Sequence, residues 1–263
     1  MPIECPVQIA KLSTEQFREL DYLVMKHAFD SQNCLGRLAD ERIYQMDLTQ
    51  RLLGSGIEVM REVPVHLSHG VFRKSLFLDV VVAEKAVYEL KTVRAITDEH
   101  AGQLLTYLLL LDLSHGKLVN FRPRSVESRF VNSPFTTAER RAFGVDEGGY
   151  EGSRDFLDLV ISLCRDWGTS LTLSLYQEAL VALLGGSERV EAMIPLERDR
   201  LALGNQRFQL VTADTAFRLT AMNGETSDYG SQLRRLFACS PLRSIHWVNI
   251  ARHTVSLTTI TNR

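Results

Sequence analysis

The chain has 263 residues, of which 45 % are apolar and 24 % charged, the balance of a globular protein with room for one large or two ordinary domains. A formal net charge of -2 excludes a chain that is basic throughout, so any contact with nucleic acid has to come from a local patch. Cys5, Cys34, Cys164 and Cys239 lie too far apart for a zinc-ligand spacing or a disulfide framework and read as reduced core thiols.

The opening "MPIECPVQIAK" holds no signal-like apolar run, which points to a cytoplasmic protein. "STEQFRELDYLVMKHAF" begins with a capping-box pattern from Ser13 to Gln16 and places Phe17, Leu20, Val24, His27 and Ala28 on one helical face. A second helix is expected from about Leu38 to Leu53, ending at Gly54 or Gly56, with Glu41 and Tyr44 sharing a face. "IEVMREVPVHL" alternates, "SHG" turns it into "KSLFLDVVV", and after the short turn "AEKA" comes "VYELKTV". "DEHAGQLLTYLLLLDL" has the leucine density of a core helix and is too short to span a bilayer, so no membrane contact is expected. "GKLVNF" returns as a strand. The order helix, helix, strand, strand, strand, helix, strand predicts an α/β core in layers.

Residues 141–154, including "FGVDEGGYEGS", are Gly-rich and read as a linker between a domain at 1–140 and a module at 155–263. The later half resembles a worn copy of the earlier one. Tyr176 answers Tyr44, Pro195 answers Pro64, and "YGSQLRRLFACSPLRSIHWVNI" aligns Gln232 with Gln103 and Asn249 with Asn120. In that alignment Asp79 falls on Leu210, Glu89 on Arg218 and Lys91 on Thr220, so no carboxylate pair survives and the copy is expected to be inactive.

Three ionisable residues stand where a buried hairpin should be apolar: Asp79 in one strand, Glu89 and Lys91 in the next. Glu89 and Lys91 point to one face of their strand, and Asp79 can meet them across the ladder. Two carboxylates suit a divalent cation, and a lysine beside them suits the charge developing on a phosphate. A plain cross-strand ion pair on a protein scaffold accounts for the same three residues. Lys117, Arg122, Arg124, Arg129, Arg140 and Arg141 outnumber Glu127 and Glu139 after the last strand, which reads either as a solvated, salt-bridged surface or as a basic flank in which Arg122 and Arg124 of "NFRPRS" are the best phosphate contacts.

The set Asp79, Glu89, Lys91 is the D-x(n)-E-x-K pattern of the PD-(D/E)xK superfamily of restriction-endonuclease-like nucleases, and residues 35–121 resemble its GxxExxY family. "GRLADERIY" supplies Gly36, Glu41 and Tyr44; "LD" supplies Asp79; "YELK" supplies Glu89 and Lys91; "HAGQLLTYL" supplies His100, Gln103 and Tyr107; "HGKLVNF" resembles the family's closing strand. The family's second helix glycine is Leu38 here, and the proline of "PD" is Leu78. The resemblance implies a restriction-endonuclease-like core, a mixed sheet flanked by helices, followed by the degenerate copy. It also implies a Mg²⁺ (or Mn²⁺) ion held by Asp79, Glu89 and the main-chain carbonyl of Leu90. Lys91 would assist the attacking water, Glu41 would add an acidic contact, and Gln103, Tyr107 and Tyr44 would support the site. The implied activity is a nuclease acting on nucleic acid, DNA rather than RNA, from a monomer with an internal pseudo-repeat or from a homodimer. A non-catalytic nucleic-acid-binding or protein-interaction scaffold on the same fold is the alternative.

Overall fold

The computed structural model describes residues 2–262. Contacts divide them into a first unit, up to Ser68 together with Arg73–Thr137, and a second, His69–Phe72 together with Ala138 onward. Among the described residues no helix is long and apolar enough to cross a membrane.

Unit 1 opens with β1 (Ile3–Glu4) and α1 (Thr14–Leu35). The capping box at Ser13 forms: its Oγ accepts from the Gln16 amide at 3.2 Å, and the Ser13 amide donates to Gln16 Oε1 at 3.0 Å. The helix ends at Gly36, whose φ of 72° lies in the region that favours glycine. α2 (Glu41–Gly54) starts at its cap Asp40, so Glu41 is its first residue. The Tyr44 hydroxyl reaches back to donate to the Gly36 carbonyl at 2.6 Å, and its ring stacks on Phe121 with centroids 4.4 Å apart.

Then come β2 (Val59–His69), β3 (Phe72–Val82), β4 (Ala86–Lys91), α3 (Asp98–Leu110), β5 (His115–Asn120) and β6 (Glu127–Asn132), in a sheet of order β1-β2-β3-β4-β5-β6. The expected order of elements is present, with β1 and β6 in addition. β6 is an edge strand in which Val131 alone is buried, so its sequence "ESRFVN" carries no alternation to read. β3 and β4 run antiparallel, β4 and β5 parallel.

Alternation divides β4 between two faces. Tyr88 and Leu90 pack with Val80 against Phe17 and Val24 of α1 and against Tyr44, Leu48 and Leu52 of α2, each buried leucine contributing roughly 1.5–3 kcal/mol. Glu89 and Lys91 face the other way, toward α3. That helix lies close on β5 because Gly116 has no side chain: a Cβ there would stand 3.1 Å from Leu104 and Leu108.

Unit 2 contains α4 (Thr137–Arg141), which begins one residue before it, then β7 (Gly144–Gly149), α5 (Arg154–Trp167), α6 (Leu173–Leu183), α7 (Ser187–Val190), β8 (Glu191–Arg198), β9 (Leu201–Thr212), β10 (Thr215–Thr220), α8 (Ser227–Phe237), β11 (Ser244–Ile250) and β12 (Thr254–Thr261). The Gly-rich residues read as a linker at 141–154 are corrected here: Gly144–Gly149 pair in parallel with β12 as the edge strand β7. Ladder bonds need only main chain, so a stretch whose one large apolar side chain, Val145, is exposed can still close a sheet edge. The reading of the cysteines as core thiols also holds for Cys164 alone; Cys34 is exposed, and Cys5 and Cys239 are half-buried.

The second sheet has the order β7-β12-β11-β10-β9-β8, so β8 to β12 follow the sequence of neighbours that β2 to β6 follow in the first. Register agrees as well as order. In the parallel pair of each unit Lys91 stands opposite Asn120 and Thr220 opposite Asn249. Asn120 brackets Val93, accepting from its amide at 3.0 Å and donating to its carbonyl at 2.8 Å, and Asn249 brackets Met222 in the same way at 2.8 and 3.0 Å. The Tyr176 hydroxyl donates to the Gly168 carbonyl, as Tyr44 does to Gly36. One alignment made from the sequence is corrected by this register: Val81 pairs with Val87 in unit 1, and Leu210 pairs with Ala216 in unit 2. Leu210 therefore answers Val81, and the counterpart of Asp79 is Phe208. A bulge between Thr215 and Ala216 takes up the slack, an irregularity of pairing that residue type does not announce.

Candidate active site

Regular pairing of β3 with β4 runs from Val82 to Val80, and there the Asp79 side chain takes over: its Oδ2 accepts the Leu90 amide at 2.7 Å. On β4, Lys91 Nζ donates to Glu89 Oε1 at 2.7 Å. Glu89 is 1 % exposed and Lys91 9 %. The second carboxylate oxygen, Glu89 Oε2, is buried with no hydrogen-bond partner, an uncommon state for a polar atom in a folded protein.

Burial comes first in the electrostatics of all three groups. It pushes Glu89 up to about 8, helped by the charge of Asp79 and opposed by Lys91. Asp79 is pushed up to about 6 by burial and by Glu41 and Glu62, against the Leu90 amide and Lys91. Burial favours the neutral form of Lys91, but the charge and hydrogen bond of Glu89 outweigh it and raise the ammonium above its ordinary value. Two carboxylates are thus held together at a cost that one lysine does not cancel.

A cleft of about 430 Å³ opens beside Asp79, lined also by Glu41, Arg42, Gln45, Arg61 and Glu62. Gln45, buried on α2, donates through Nε2 to both Glu62 Oε1 at 2.7 Å and the Asp79 carbonyl at 2.9 Å. Glu62 and Gln45 are residues that sequence reasoning missed. Alternation assigned Arg61 and Glu62 to opposite faces, yet Glu62 has φ 51°, and this break in the strand lets both neighbours line one cleft. The only sequence signal was a charge pair inside an otherwise apolar strand.

On α3, Gln103 Nε2 donates to the Tyr107 hydroxyl at 3.1 Å. Burial raises the Tyr107 phenol, with Glu89 and Asp79 adding to the shift, so the helix presents this pair toward the carboxylates. His100 does not join them; it closes the capping box of α3, its Nδ1 accepting from the Thr97 amide at 3.0 Å. Tyr44 is wholly buried in the α1–α2 core and lies away from the cleft. Of the basic flank, Lys117 is buried against Asp21 and over the Phe130 ring, 4.4 Å from its centroid. Arg140 is buried on the carbonyls of Trp167 and Thr169, and Arg129 pairs with Asp98. Arg122 and Arg124 remain on the loop after β5, Arg122 held by its Nε on the Thr92 carbonyl at 3.2 Å and Arg124 exposed.

Among the described residues no group of three or more His, Cys, Asp or Glu side chains stands close enough to hold a metal ion. Among the carboxylates of the site, Asp79 acts on Glu89 through its charge, and Glu41 adds its own charge to both. Two carboxylates with an orphaned buried oxygen suit a hard cation such as Mg²⁺, which is commonly held by one or two carboxylates and completes its shell from water and substrate.

No curated protein matches the chain. The crystal structure of SSO0001 is similar at 24 % identity and a TM-score of 0.31, over 46 % of this chain and 64 % of that one, so the chain spans less than two thirds of its length. The family model of the PD-(D/E)XK nuclease superfamily matches residues 18–131, a span that holds Glu41, Asp79, Glu89, Lys91, Gln103, Tyr107 and both loop arginines.

Proposed function

We propose that unit 1 is a divalent-metal-dependent phosphodiesterase that hydrolyses nucleic acid, DNA rather than RNA, and that it falls in the GxxExxY branch of the superfamily. The observation that carries this reading is the orphaned oxygen of Glu89. A buried carboxylate, pushed up to about 8 beside a second one, is expected where a cation completes the set and not where a scaffold is merely packed. Asp79 and Glu89, with the Leu90 carbonyl as a third oxygen donor, would hold Mg²⁺ or Mn²⁺. Such an ion supplies Lewis acidity toward a phosphoryl oxygen.

The chain's own groups account for the rest. The Leu90 amide fixes the Asp79 carboxylate, and Gln45 fixes the strand that carries it. Lys91 brings a compact positive charge to the scissile phosphate and orients the attacking water. Gln103 donates to Tyr107 and leaves the phenol proton free to meet a phosphate oxygen. Arg122 and Arg124 would hold phosphates on either side of the cut. We also read residues 155–263 as a degenerate second copy. Support comes from the matched strand order, the paired asparagine brackets and the repeated Tyr-to-Gly hydrogen bond.

One observation favours the alternative of a non-catalytic scaffold: Lys91 already satisfies one oxygen of Glu89. The two readings separate in a Mn²⁺-supplemented cleavage assay on single- and double-stranded DNA and RNA, with Glu89→Ala beside the unaltered protein. Cutting that requires Glu89 is expected. Equal cutting by both proteins, or none by either, sinks the nuclease reading.

A further inference from the structure

Unit 2 has a cleft of its own, about 330 Å³, between β9, β10 and α8. Arg207, Phe208, Arg218, Tyr229, Gln232 and Leu236 are among its lining. Four of these six stand at the positions that Asp79, Glu89, Gln103 and Tyr107 hold in unit 1: Phe208, Arg218, Gln232 and Leu236, each 129 residues on. The cleft therefore occupies the place of the candidate active site, with its charge reversed. Where unit 1 gathers carboxylates, unit 2 gathers a guanidinium, an amide and apolar walls.

Arg218 is organised to bind something. Its Nε donates to the Tyr229 hydroxyl at 3.1 Å, which fixes the plane of the guanidinium, and among the described residues no carboxylate pairs with it. The planar fork left over matches two oxygens of one phosphate. Arg207 also lines the cleft, ion-paired with Glu191 at 3.8 Å. Gln232 rests its Nε2 on Asp228 at 3.4 Å, so its carbonyl oxygen is available as an acceptor. Leu236 presents exposed apolar surface, and the core residue Phe208 closes the cleft beneath it. The volume is within the range of small-ligand sites, roughly 300–1,000 Å³. A phosphate fork, an amide that can read a base edge and an apolar wall against which a planar ring can lie are what a nucleotide requires.

We infer that this cleft binds one nucleoside phosphate unit, either a free mononucleotide or a single nucleotide of a strand. The inference does not depend on unit 1 being a nuclease, because Arg218, Tyr229 and Gln232 belong to unit 2 and no metal is involved.

Trp247 provides the readout, its ring lying 5.3 Å from that of Tyr229. The full chain, kept in a metal chelator so that the carboxylate site is silent, is titrated by tryptophan fluorescence with the four nucleoside monophosphates, inorganic phosphate and a short single-stranded oligonucleotide. Saturable binding of at least one monophosphate is expected, about tenfold or more tighter than inorganic phosphate. Arg218→Glu should weaken it about tenfold or more, as loss of one bidentate contact does. Gln232→Leu should narrow the difference between bases, while Glu89→Gln should leave binding unchanged. Arg218 is exposed, so its replacement tests binding and not folding. An oligonucleotide that binds tighter than the monophosphate and loses that advantage in Arg218→Glu assigns the unit to a strand, and equal affinity assigns it to a free nucleotide. The inference is overturned by absence of saturable binding, by inorganic phosphate binding as well as a nucleotide, or by Arg218→Glu binding like the parent chain.

Discussion

Asp79 and Glu89 fold with carboxyls at about 6 and about 8, against ordinary values of 3.8 and 4.5. A raised carboxyl binds its proton more tightly in the folded chain than in the unfolded one. The folded state therefore carries the extra protons, and stability falls as pH climbs from about 4 through about 8. Glu89→Gln is expected to flatten that slope and, in metal-free calorimetry at pH 8, to stabilise the protein by about 1 kcal/mol, as is common where a site's chemistry opposes folding. A clear loss of stability instead would mark Glu89 and Lys91 as a structural ion pair. The roles of the three residues separate in a second measurement. Asp79→Ala and Glu89→Ala should abolish Mn²⁺ binding in titration calorimetry, whereas Lys91→Ala should keep the ion and lose turnover, since an ammonium repels a cation. Loss of Mn²⁺ binding by Lys91→Ala would contradict this division.

At the scale of elements, the end of β4 is held in place by residues at and just beyond the end of β5. The Lys91 carbonyl accepts the Phe121 amide at 2.9 Å, and fully buried Asn120 brackets Val93. Asn120→Ala leaves an amide and a carbonyl without those partners, and the expected cost in chemical denaturation is about 3 kcal/mol; a loss below about 0.5 kcal/mol, the level of an ordinary surface change, would show that water replaces the bracket. The sequence made α1, α2, the three strands and α3 readable because they carry helical stripes, alternation or dense apolar runs, and Asp79, Glu89 and Lys91 stood out because they interrupt such a run. β6 and β7 were not readable, since an edge strand with few apolar residues and no alternation is held by main-chain bonds that leave no pattern. Glu62 was hidden for another reason: its place in the cleft depends on a left-handed backbone angle that a glutamate does not advertise. Lys117 and Arg140 show the converse, charges that counted toward a basic flank and are buried on partners distant in sequence.

Across the whole molecule the two units differ where chemistry would occur. By strand register Phe208, Arg218 and Thr220 stand where Asp79, Glu89 and Lys91 stand in unit 1, so on the degenerate-copy reading the described residues hold one carboxylate pair of this kind. On the proposed nuclease reading, one centre would cut one strand at a time. With duplex DNA as substrate, supercoiled plasmid should be nicked first and linear product should appear late or with a steep dependence on protein concentration. Linear product without a nicked intermediate, at a rate first order in a protein shown to be monomeric, would require a second centre in the chain. The unpartnered oxygen of Glu89 has a consequence on a longer timescale. A carboxylate that strains its own fold is the easiest kind of residue to lose: once selection for cutting relaxes, its replacement meets no folding barrier. Inherited change in such a core therefore has a direction, readily away from chemistry and back only uphill, and on the reading of residues 155–263 as a degenerate copy the charge pair would persist only in the core that still needs it.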